Sequence, residues 1–342
     1  MRRVLVTGGA GFIGSHFIRI LLAEEPDAQV VNLDLLTYAG NLGNVADLSS
    51  SPRYKFVRGD IRDMKVAQEL VAEADWIVNF AAESHVDRST KARAGEFIDT
   101  NVYGAYVMLE ATRQVNRSAR FLQVGTDEVY GSIDWPGFPN ESALLCPSSP
   151  YSAAKAGADH IALAFHRTHD MDVLVSRCTN NYGPFQYPEK VIPVFITNAL
   201  EGEPLPLYDG GTQVRDWLRV EDHCHALLLL LRRGTAGEIY NIGANQTPEV
   251  TNLELTRMIL SCVGQPETLI RPVQGLRPGH DHRYAVDTTK LRALGWQPGA
   301  DLAAGIAKTV AWYTERRDWW EPIKSGEYRE YYQKHYGEAA RR

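Results

Sequence analysis

The chain has 342 residues, of which 44% are hydrophobic and 23% are charged, proportions that are ordinary for a globular protein. This length exceeds what one hydrophobic core usually supports, so we expect two lobes. The net charge of −6 offers no basic surface for nucleic acid or anionic lipid. No apolar run approaches the ~20 residues of a membrane helix, and the four cysteines include no Cys-x-x-Cys pair. We therefore expect a cytoplasmic protein that binds neither nucleic acid nor membrane.

The first motif is a glycine-rich turn between a strand and a helix. Residues 4–7 form an apolar run, and Gly8–Gly14 contains Gly-x-Gly-x-x-Gly. Such a turn lets the backbone approach a pyrophosphate, whose charge the helix N-terminus stabilises. The next apolar run, residues 30–33, ends in Asp34, and a carboxylate there can accept the ribose hydroxyls of NAD and would repel the 2′-phosphate of NADP. The pattern predicts a NAD-binding unit.

Two further strand ends lead into polar loops. Phe56–Val57 precedes the acidic turn Gly59–Asp63, which could meet the adenine amine or cap the following helix. Trp76–Phe80 precedes Ala81–Asp87, in which two small residues would let a cofactor lie close over the strand end. The acidic and imidazole side chains of that loop are catalytic in type, but polar loops at strand ends mostly form hydrogen bonds. The sequence leaves both alternatives open for each loop.

The candidate catalytic residues lie on one strand end and one helix. Thr126, Asp127 and Glu128 directly follow an apolar run, and the carboxyl ends of strands in a doubly wound sheet open on the ligand crevice. Two adjacent carboxylates at that edge indicate proton transfer. Tyr151 and Lys155 are four residues apart and therefore share one face of a helix. The sequence predicts that these five side chains form one catalytic site.

Two helical stretches, Phe97–Arg113 and Ala156–Ala164, have more than one apolar face. One face covers the sheet, so the second either builds a homodimer or is covered by the second lobe. A further stretch, His223–His225, is metal-ligating in type. Because no second ligand pair accompanies it, we predict no metal site.

After the sixth predicted strand the regular β/α alternation is lost. The segments Asn180–Pro184, Pro188–Lys190 and Leu205–Tyr208 are rich in proline, aromatic and amide residues, a composition suited to loops that hold a ligand. Arg215 and Arg277 could bind a diphosphate bidentately, or each could form a surface ion pair. Taken together, these segments predict a sugar-nucleotide site.

The motifs resemble the extended short-chain dehydrogenases/reductases and, among them, the nucleotide-sugar 4,6-dehydratases that act on dTDP-glucose. Tyr-x-x-x-Lys is common to the superfamily, whereas Thr-Asp-Glu discriminates, since related epimerases and decarboxylases usually carry small hydroxyl residues there. The resemblance covers nearly the whole chain. It implies an α/β fold, a Rossmann-type doubly wound parallel sheet with a smaller, partly interleaved C-terminal substrate-binding domain. The NAD-binding domain would span 1–178 with a returning segment at about 220–245, and 179–342 would mainly bind the nucleotide sugar.

The resemblance also implies a reaction, the conversion of dTDP-glucose to dTDP-4-keto-6-deoxyglucose and water. Tyr151 would take the C4 hydroxyl proton, its pKa lowered by Lys155 and by NAD, which accepts the C4 hydride. Glu128 would take the C5 proton, Asp127 would protonate the departing C6 hydroxyl, and the hydride would return to C6. Thr126 would hydrogen-bond the C4 oxygen. The alternatives are a nucleotide-sugar C4 epimerase or decarboxylase, and a NAD-sensing regulator, which typically loses the Tyr or the Lys.

Binding residues follow from the same resemblance. NAD would be lined by Gly8, Gly11, Phe12, Ile13, Gly14, Asp34, Thr37, Asp60, Ile61, Ala81, Ala82, Tyr151, Lys155 and Asn181. The nucleotide sugar would be lined by Ser84, Thr100, Thr126, Asn180, Lys190, Val191, Pro206, Tyr208, Arg215, Asn241 and His280. One position departs from the family, whose turn usually reads Asp-Arg-Pro-Gly-His-Asp, because Leu276 stands first here. The departure concerns nucleotide binding more than the chemistry.

Overall fold

The computed structural model describes residues 1–91, 94–133, 137–273, 281–299 and 301–325, and every structural statement below concerns those ranges. Their strands are β1 (Arg2–Thr7), β2 (Ala28–Asp34), β3 (Tyr54–Arg58), β4 (Trp76–Asn79), β5 (Arg120–Thr126), β6 (Val173–Cys178), β7 (Asn180–Tyr182), β8 (Leu205–Tyr208), β9 (Val214–Arg215), β10 (Trp217–Arg219), β11 (Ile239–Ile242), β12 (Val250–Thr251) and β13 (Ile270–Val273).

A seven-stranded parallel sheet in the order β11-β6-β5-β4-β1-β2-β3 forms the centre of the protein. Its strands are the apolar runs of the sequence, which are buried because helices cover both faces. From β1 the strands β2 and β3 are added on one side, and β4, β5 and β6 are added on the other, so the strand order reverses between β1 and β4. A doubly wound sheet binds its ligand at such a switch point. The predicted Rossmann-type α/β fold is confirmed.

The α-helices are α1 (Phe12–Glu24), α2 (Met64–Val71), α3 (Val86–Lys91), α4 (Ala94–Phe97), α5 (Ala105–Val115), α6 (Pro150–His169), α7 (Val191–Glu201), α8 (Val220–Arg233), α9 (Asn252–Val263), α10 (Thr289–Ala293), α11 (Leu302–Glu315) and α12 (Arg317–Ser325). Short 3₁₀ segments span Leu42–Leu48, Asp127–Tyr130, Asp209–Gly211 and Glu267–Leu269.

The long helix predicted from Phe97 is interrupted. A π-helical segment, Ile98–Gly104, separates α4 from α5, and π turns of this kind are frequent at functional sites. Within it, the Asn101 amide accepts from the Glu83 N–H (2.8 Å) and donates to the Glu83 carbonyl (3.0 Å). The irregular turn therefore holds the loop that follows β4.

Helix α6 carries two of the predicted catalytic residues. Ser149 caps it by accepting from the Ser152 N–H, while the Ser152 hydroxyl accepts from the Ser149 N–H, a reciprocal cap that satisfies two terminal donors. The helix therefore begins just before Tyr151, and both Tyr151 and Lys155 are buried on its inner face.

The C-terminal residues build a second core. Helices α7, α9 and α11 pack around Trp217, Tyr313 and Trp320, and β8 pairs with β13 beside them. Strand β11 lies within the predicted returning segment and pairs with β6 in the main sheet, while the domain boundaries themselves stay a prediction. None of the helices in the described ranges is long and apolar enough to cross a membrane.

Candidate active site

The glycine turn after β1 is closely packed against neighbouring backbone. Gly8 has a φ of 69°, and its N–H donates to the Leu33 carbonyl (2.9 Å). A Cβ at Gly8 would lie 2.8 Å from the Ala81 nitrogen, and one at Gly14 would lie 2.5 Å from the Gly8 carbonyl oxygen. Gly11 precedes α1, whose first turn has no side-chain cap among the described residues. This arrangement suits a pyrophosphate bound by backbone N–H groups.

Asp34 ends β2 beside this turn and shapes it. Its carboxylate accepts from the Ala10 N–H (2.9 Å) and from the Leu36 N–H (2.8 Å). Burial raises the pKa of Asp34, and these two hydrogen bonds act in the opposite direction. Thr37 follows in an exposed loop. Asp34 therefore has a structural role in addition to its predicted contact with ribose, which stays a prediction.

The acidic turn after β3 does cap a helix, through Asp63. The Asp63 carboxylate accepts from the N–H groups of Lys65 (2.9 Å) and Val66 (3.2 Å) at the start of α2. Asp60 instead pairs with Arg62, with a nitrogen–oxygen distance of 2.6 Å. Contacts of Asp60 and of the neighbouring Ile61 with adenosine stay predictions.

A buried chain of hydrogen bonds fixes the ends of three central strands. The Thr7 hydroxyl donates to Asn79 (2.6 Å), and the Asn79 amide donates to Gln123 (2.8 Å), so that β1, β4 and β5 are linked. The Ala81 N–H donates to the Thr7 hydroxyl (3.2 Å), which places the small residues Ala81 and Ala82 next to the glycine turn.

The predicted catalytic residues of β5 and α6 are brought together. Thr126 ends β5, and its hydroxyl accepts from the Glu128 N–H (3.3 Å) and donates to the Asp127 carboxyl (3.3 Å). Tyr151 lies on α6 close enough to Thr126 for that side chain to influence its pKa. Lys155 donates from Nζ to the Val124 carbonyl (2.5 Å). The hydroxyls and carboxyls that the reaction requires therefore share one buried corner.

The two adjacent carboxyls lie in different environments. Asp127 is 2% exposed, whereas Glu128 is only half-buried. Burial raises the pKa of Asp127 well above its usual range, the charges of Glu128 and Asp216 raise it further, and Arg215 opposes them. Burial therefore favours the neutral form of Asp127, the state that protonation of a leaving hydroxyl requires.

In the chain itself the pKa of Tyr151 is raised, and its predicted lowering by Lys155 and NAD together stays a prediction. Burial, and then the charge of Glu128, raise the pKa of Tyr151, while Thr126 opposes them. Lys155 is itself buried, which lowers its pKa, and its ammonium is directed at the Val124 carbonyl. Desolvation is the dominant influence on the tyrosine hydroxyl.

Two clusters contain predicted nucleotide-sugar residues. At the start of α7, the Lys190 ammonium donates to the Ser84 carbonyl (2.7 Å), which joins two of them. At the other cluster, the Arg215 guanidinium donates to the carbonyls of Asp281 (2.8 Å) and His282 (3.1 Å) and lies over the Tyr284 ring, 4.3 Å from its centroid. Both clusters draw together residues that are far apart in sequence.

Tyr284 is a site candidate that sequence reasoning missed. Its hydroxyl donates to Asp281 (2.6 Å), and its ring supports Arg215. Burial raises the pKa of Tyr284, and the charge of Glu128 is the next cause, so the phenol lies near the catalytic carboxylates. Its position just after the Arg-Pro-Gly-His turn was the signal that could have identified it.

Asn241 is fully buried, and its side chain is engaged by the protein. Its carbonyl accepts from the Tyr130 hydroxyl (2.8 Å), and its amide donates to the Pro139 carbonyl (3.1 Å). These contacts favour a positioning role, and its contact with substrate stays a prediction. Other predicted substrate residues lie in the π segment (Thr100), at the start of β7 (Asn180), at the start of α7 (Val191) and along β8 (Pro206 and Tyr208).

Asn181 joins the site to α8. Its amide donates to the Cys178 sulfur (3.0 Å), and its carbonyl lies 2.9 Å from Nδ1 of His223. Burial lowers the pKa of His223 to about 3, so the neutral ring serves as a hydrogen-bond partner for Asn181. In the ranges given above, no group of three His, Cys, Asp or Glu side chains is placed to hold a metal ion. His280 and Leu276 lie outside the described residues.

Comparisons with known proteins agree with this geometry. Residues 5–309 match the family model described as GDP-mannose 4,6 dehydratase. A dTDP-glucose 4,6-dehydratase of Streptomyces niveus is 51% identical over 328 residues, 94% of this chain and 96% of the relative. The low-salt glycan biosynthesis protein Agl12 of Haloferax volcanii is 51% identical over 310 residues, 91% of this chain and 98% of the relative.

A solved structure is similar over the same length. DesIV, a dTDP-glucose 4,6-dehydratase from Streptomyces venezuelae crystallised with NAD, superposes with a TM-score of 0.90 at 51% identity, covering 94% of this chain and 100% of that one. The family resemblance inferred from the Thr-Asp-Glu and Tyr-x-x-x-Lys motifs is confirmed. This chain belongs to the GDP-mannose 4,6-dehydratase family of nucleotide-sugar enzymes.

Proposed function

We propose that this chain is a NAD-dependent dTDP-glucose 4,6-dehydratase, which converts dTDP-glucose to dTDP-4-keto-6-deoxyglucose and water. The observation that carries the proposal is the pair Asp127 and Glu128, one carboxyl fully buried, so that its neutral form is favoured, beside one that is half-buried. They lie next to Thr126 and Tyr151 at the edge of the sheet where a cofactor binds in this fold. The names of the relatives, 45–51% identical to this chain, support the same substrate.

The glycine turn fits the pyrophosphate of NAD. Gly8, Gly11 and Gly14 keep its backbone close to the crevice, and Asp34 lies beside it to meet the adenosine ribose. Ala81, Ala82 and Asn181 would line the nicotinamide half. Bound NAD supplies a hydride acceptor at the start of the reaction and a hydride donor at its end.

Tyr151 would take the proton of the C4 hydroxyl. Its hydroxyl lies near Thr126, so both hydroxyls could reach the C4 oxygen in this proposal. Because burial raises the tyrosine pKa, deprotonation needs positive charge close by, and the Lys155 ammonium and bound cofactor would supply it. Thr126 would stabilise the charge that develops on the C4 oxygen.

Elimination would use one of the two carboxyls as a base and the other as an acid. Once C4 is a ketone, the C5 hydrogen is acidic, and Glu128 would remove it as a base. Asp127, whose neutral form burial favours, would protonate the departing C6 hydroxyl as an acid. General acid and base groups of this kind each contribute about 10²–10⁴-fold in rate. A C4 epimerase or decarboxylase has no use for this pair, which favours the dehydratase over those alternatives.

The nucleotide would be held between the two lobes. Lys190 and Arg215 supply positive charge for the diphosphate, and a planar guanidinium can bind two phosphate oxygens at once. Tyr284 fixes the plane of Arg215. Ser84 belongs to the Lys190 cluster, and Tyr208 at the end of β8 would also contact the nucleotide sugar in this proposal.

The proposed assembly is a cytoplasmic homodimer built on the outer faces of the π-helical segment Ile98–Gly104, α5 and α6. Ile98 is 50% exposed, Tyr103 52% and Tyr106 39%. The Tyr106 ring packs against that of Phe165 on α6, with centroids 6.2 Å apart. In the described residues the second lobe leaves these aromatic side chains exposed, so a second copy of the chain is the partner that would bury them.

The decisive experiment traces a deuterium label from C4 of the substrate into the product. With dTDP-glucose deuterated at C4, a dehydratase delivers the label to C6 of a product that has lost one water and gained a solvent hydrogen at C5. An epimerase returns the label to C4 and keeps the C6 oxygen. Mass spectrometry and NMR of the product distinguish the two, and label recovered at C4 would refute the proposal.

A further inference from the structure

Ala10, at the centre of the glycine turn, has both its N–H and its carbonyl engaged in hydrogen bonds. The Ala10 N–H donates to Asp34 (2.9 Å), as described above. The Ala10 carbonyl accepts from the Asn41 N–H (3.1 Å) and from the side-chain amide of Asn44 (2.9 Å). Asn44 is 1% exposed, so this contact is shielded from water.

The other end of the Asn44 amide reaches the C-terminal lobe. Its Oδ1 accepts from the indole N–H of Trp319 on α12 (2.9 Å), although the two residues are 275 positions apart. The Trp319 ring packs edge-on against Trp312 (centroids 5.2 Å) and Phe185 (5.8 Å). One amide therefore connects an aromatic cluster of the second lobe to the turn that would bind pyrophosphate.

We propose that Asn44 and Trp319 are positioning residues that retain NAD by holding the glycine turn in its binding conformation. The inference rests on the proposed function, in that NAD is the ligand of the turn. Neither side chain needs to touch the cofactor. A turn that is fixed before binding loses less conformational freedom when the pyrophosphate arrives, so release of NAD is slower than from a loosened turn.

The test is Trp319→Phe, which keeps an aromatic ring but leaves the buried Asn44 oxygen without its donor. Loss of a buried hydrogen-bond partner changes an equilibrium constant by about tenfold. In this proposal the equilibrium is that between the binding conformation of the turn and a loosened one. NAD should therefore dissociate from Trp319→Phe about tenfold faster than from the wild type, as measured by trapping released NAD with a dehydrogenase in excess. The rate at saturating NAD should stay near that of the wild type.

The matched control is Trp320→Phe. Trp320 is also buried, and its indole N–H donates to the Tyr313 carbonyl (2.7 Å) within the same lobe, with no hydrogen bond to the glycine turn among the described residues. It should lower the melting temperature comparably and leave NAD release unchanged. If both variants lower stability and neither changes NAD release, the two tryptophans are structural only and the proposal is refuted.

A second variant breaks the connection at its other end. Asn44→Leu removes the donor to Ala10 while keeping a side chain of similar size, and it should also accelerate NAD release. Because release is measured on bound NAD directly, an enzyme that retains NAD but fails to dehydrate dTDP-glucose would refute the proposed function and leave this inference intact. Unchanged release from both Trp319→Phe and Asn44→Leu would refute the inference alone.

Discussion

Replacing Asp127 by Asn should separate the chemistry of this carboxyl from its effect on stability. The side chain is 2% exposed, and burial raises its pKa well above the usual range. Asn has nearly the same shape and is also neutral, so it can keep the 3.3 Å contact with Thr126. Only the proton that the acid donates is lost.

The sign of the stability effect follows from proton binding. The unfolded chain releases the Asp127 proton at about pH 3.9, whereas the native state holds it to a higher pH. Between these two values the native state binds more protons, so the free energy of unfolding of the wild type falls as pH rises. The Asn variant lacks this dependence, so between these two pH values its free energy of unfolding should rise relative to that of the wild type by about 1.4 kcal/mol for each pH unit.

The assay is denaturant unfolding of both proteins at several pH values. Turnover of Asp127→Asn should fall by about 10²–10⁴-fold, while substrate still reduces the bound nicotinamide. Parallel stability curves for wild type and variant would contradict a neutral Asp127. Loss of nicotinamide reduction would contradict its role in elimination.

Three further predictions follow from the site and the exposed helix face. Tyr151→Phe should abolish turnover and leave nucleotide-sugar affinity, measured by calorimetry, nearly unchanged; a wild-type rate would exclude Tyr151 as the base. NAD should support activity and NADP should not, because Asp34 would face the 2′-phosphate; full activity with NADP would show that Asp34 does not face that group. Tyr106→Arg should shift the protein from dimer to monomer in analytical ultracentrifugation, and an unchanged sedimentation coefficient would move the interface to another face.

Much of the site could be predicted because parallel strands deliver their carboxyl ends to one edge. Gly8–Gly14 and Thr126–Glu128 each follow an apolar run, so their meeting follows from the sheet alone. Local pattern carries no information about pairs such as Asn44 and Trp319, which are 275 residues apart. It also gives no measure of the burial that raises the pKa of Tyr151, since the depth of burial depends on what the rest of the chain packs over the phenol.

The bond from Lys155 to the Val124 carbonyl has a consequence for how the enzyme can change its substrate. It joins α6 to β5, so the proposed acid, bases and hydroxyls belong to three neighbouring elements, namely β5, the 3₁₀ segment Asp127–Tyr130 and α6. Lys190, Arg215 and Tyr284 come from outside these elements. Substitutions among these three residues would therefore change how a nucleotide sugar is held and leave the proposed proton-transfer groups in place.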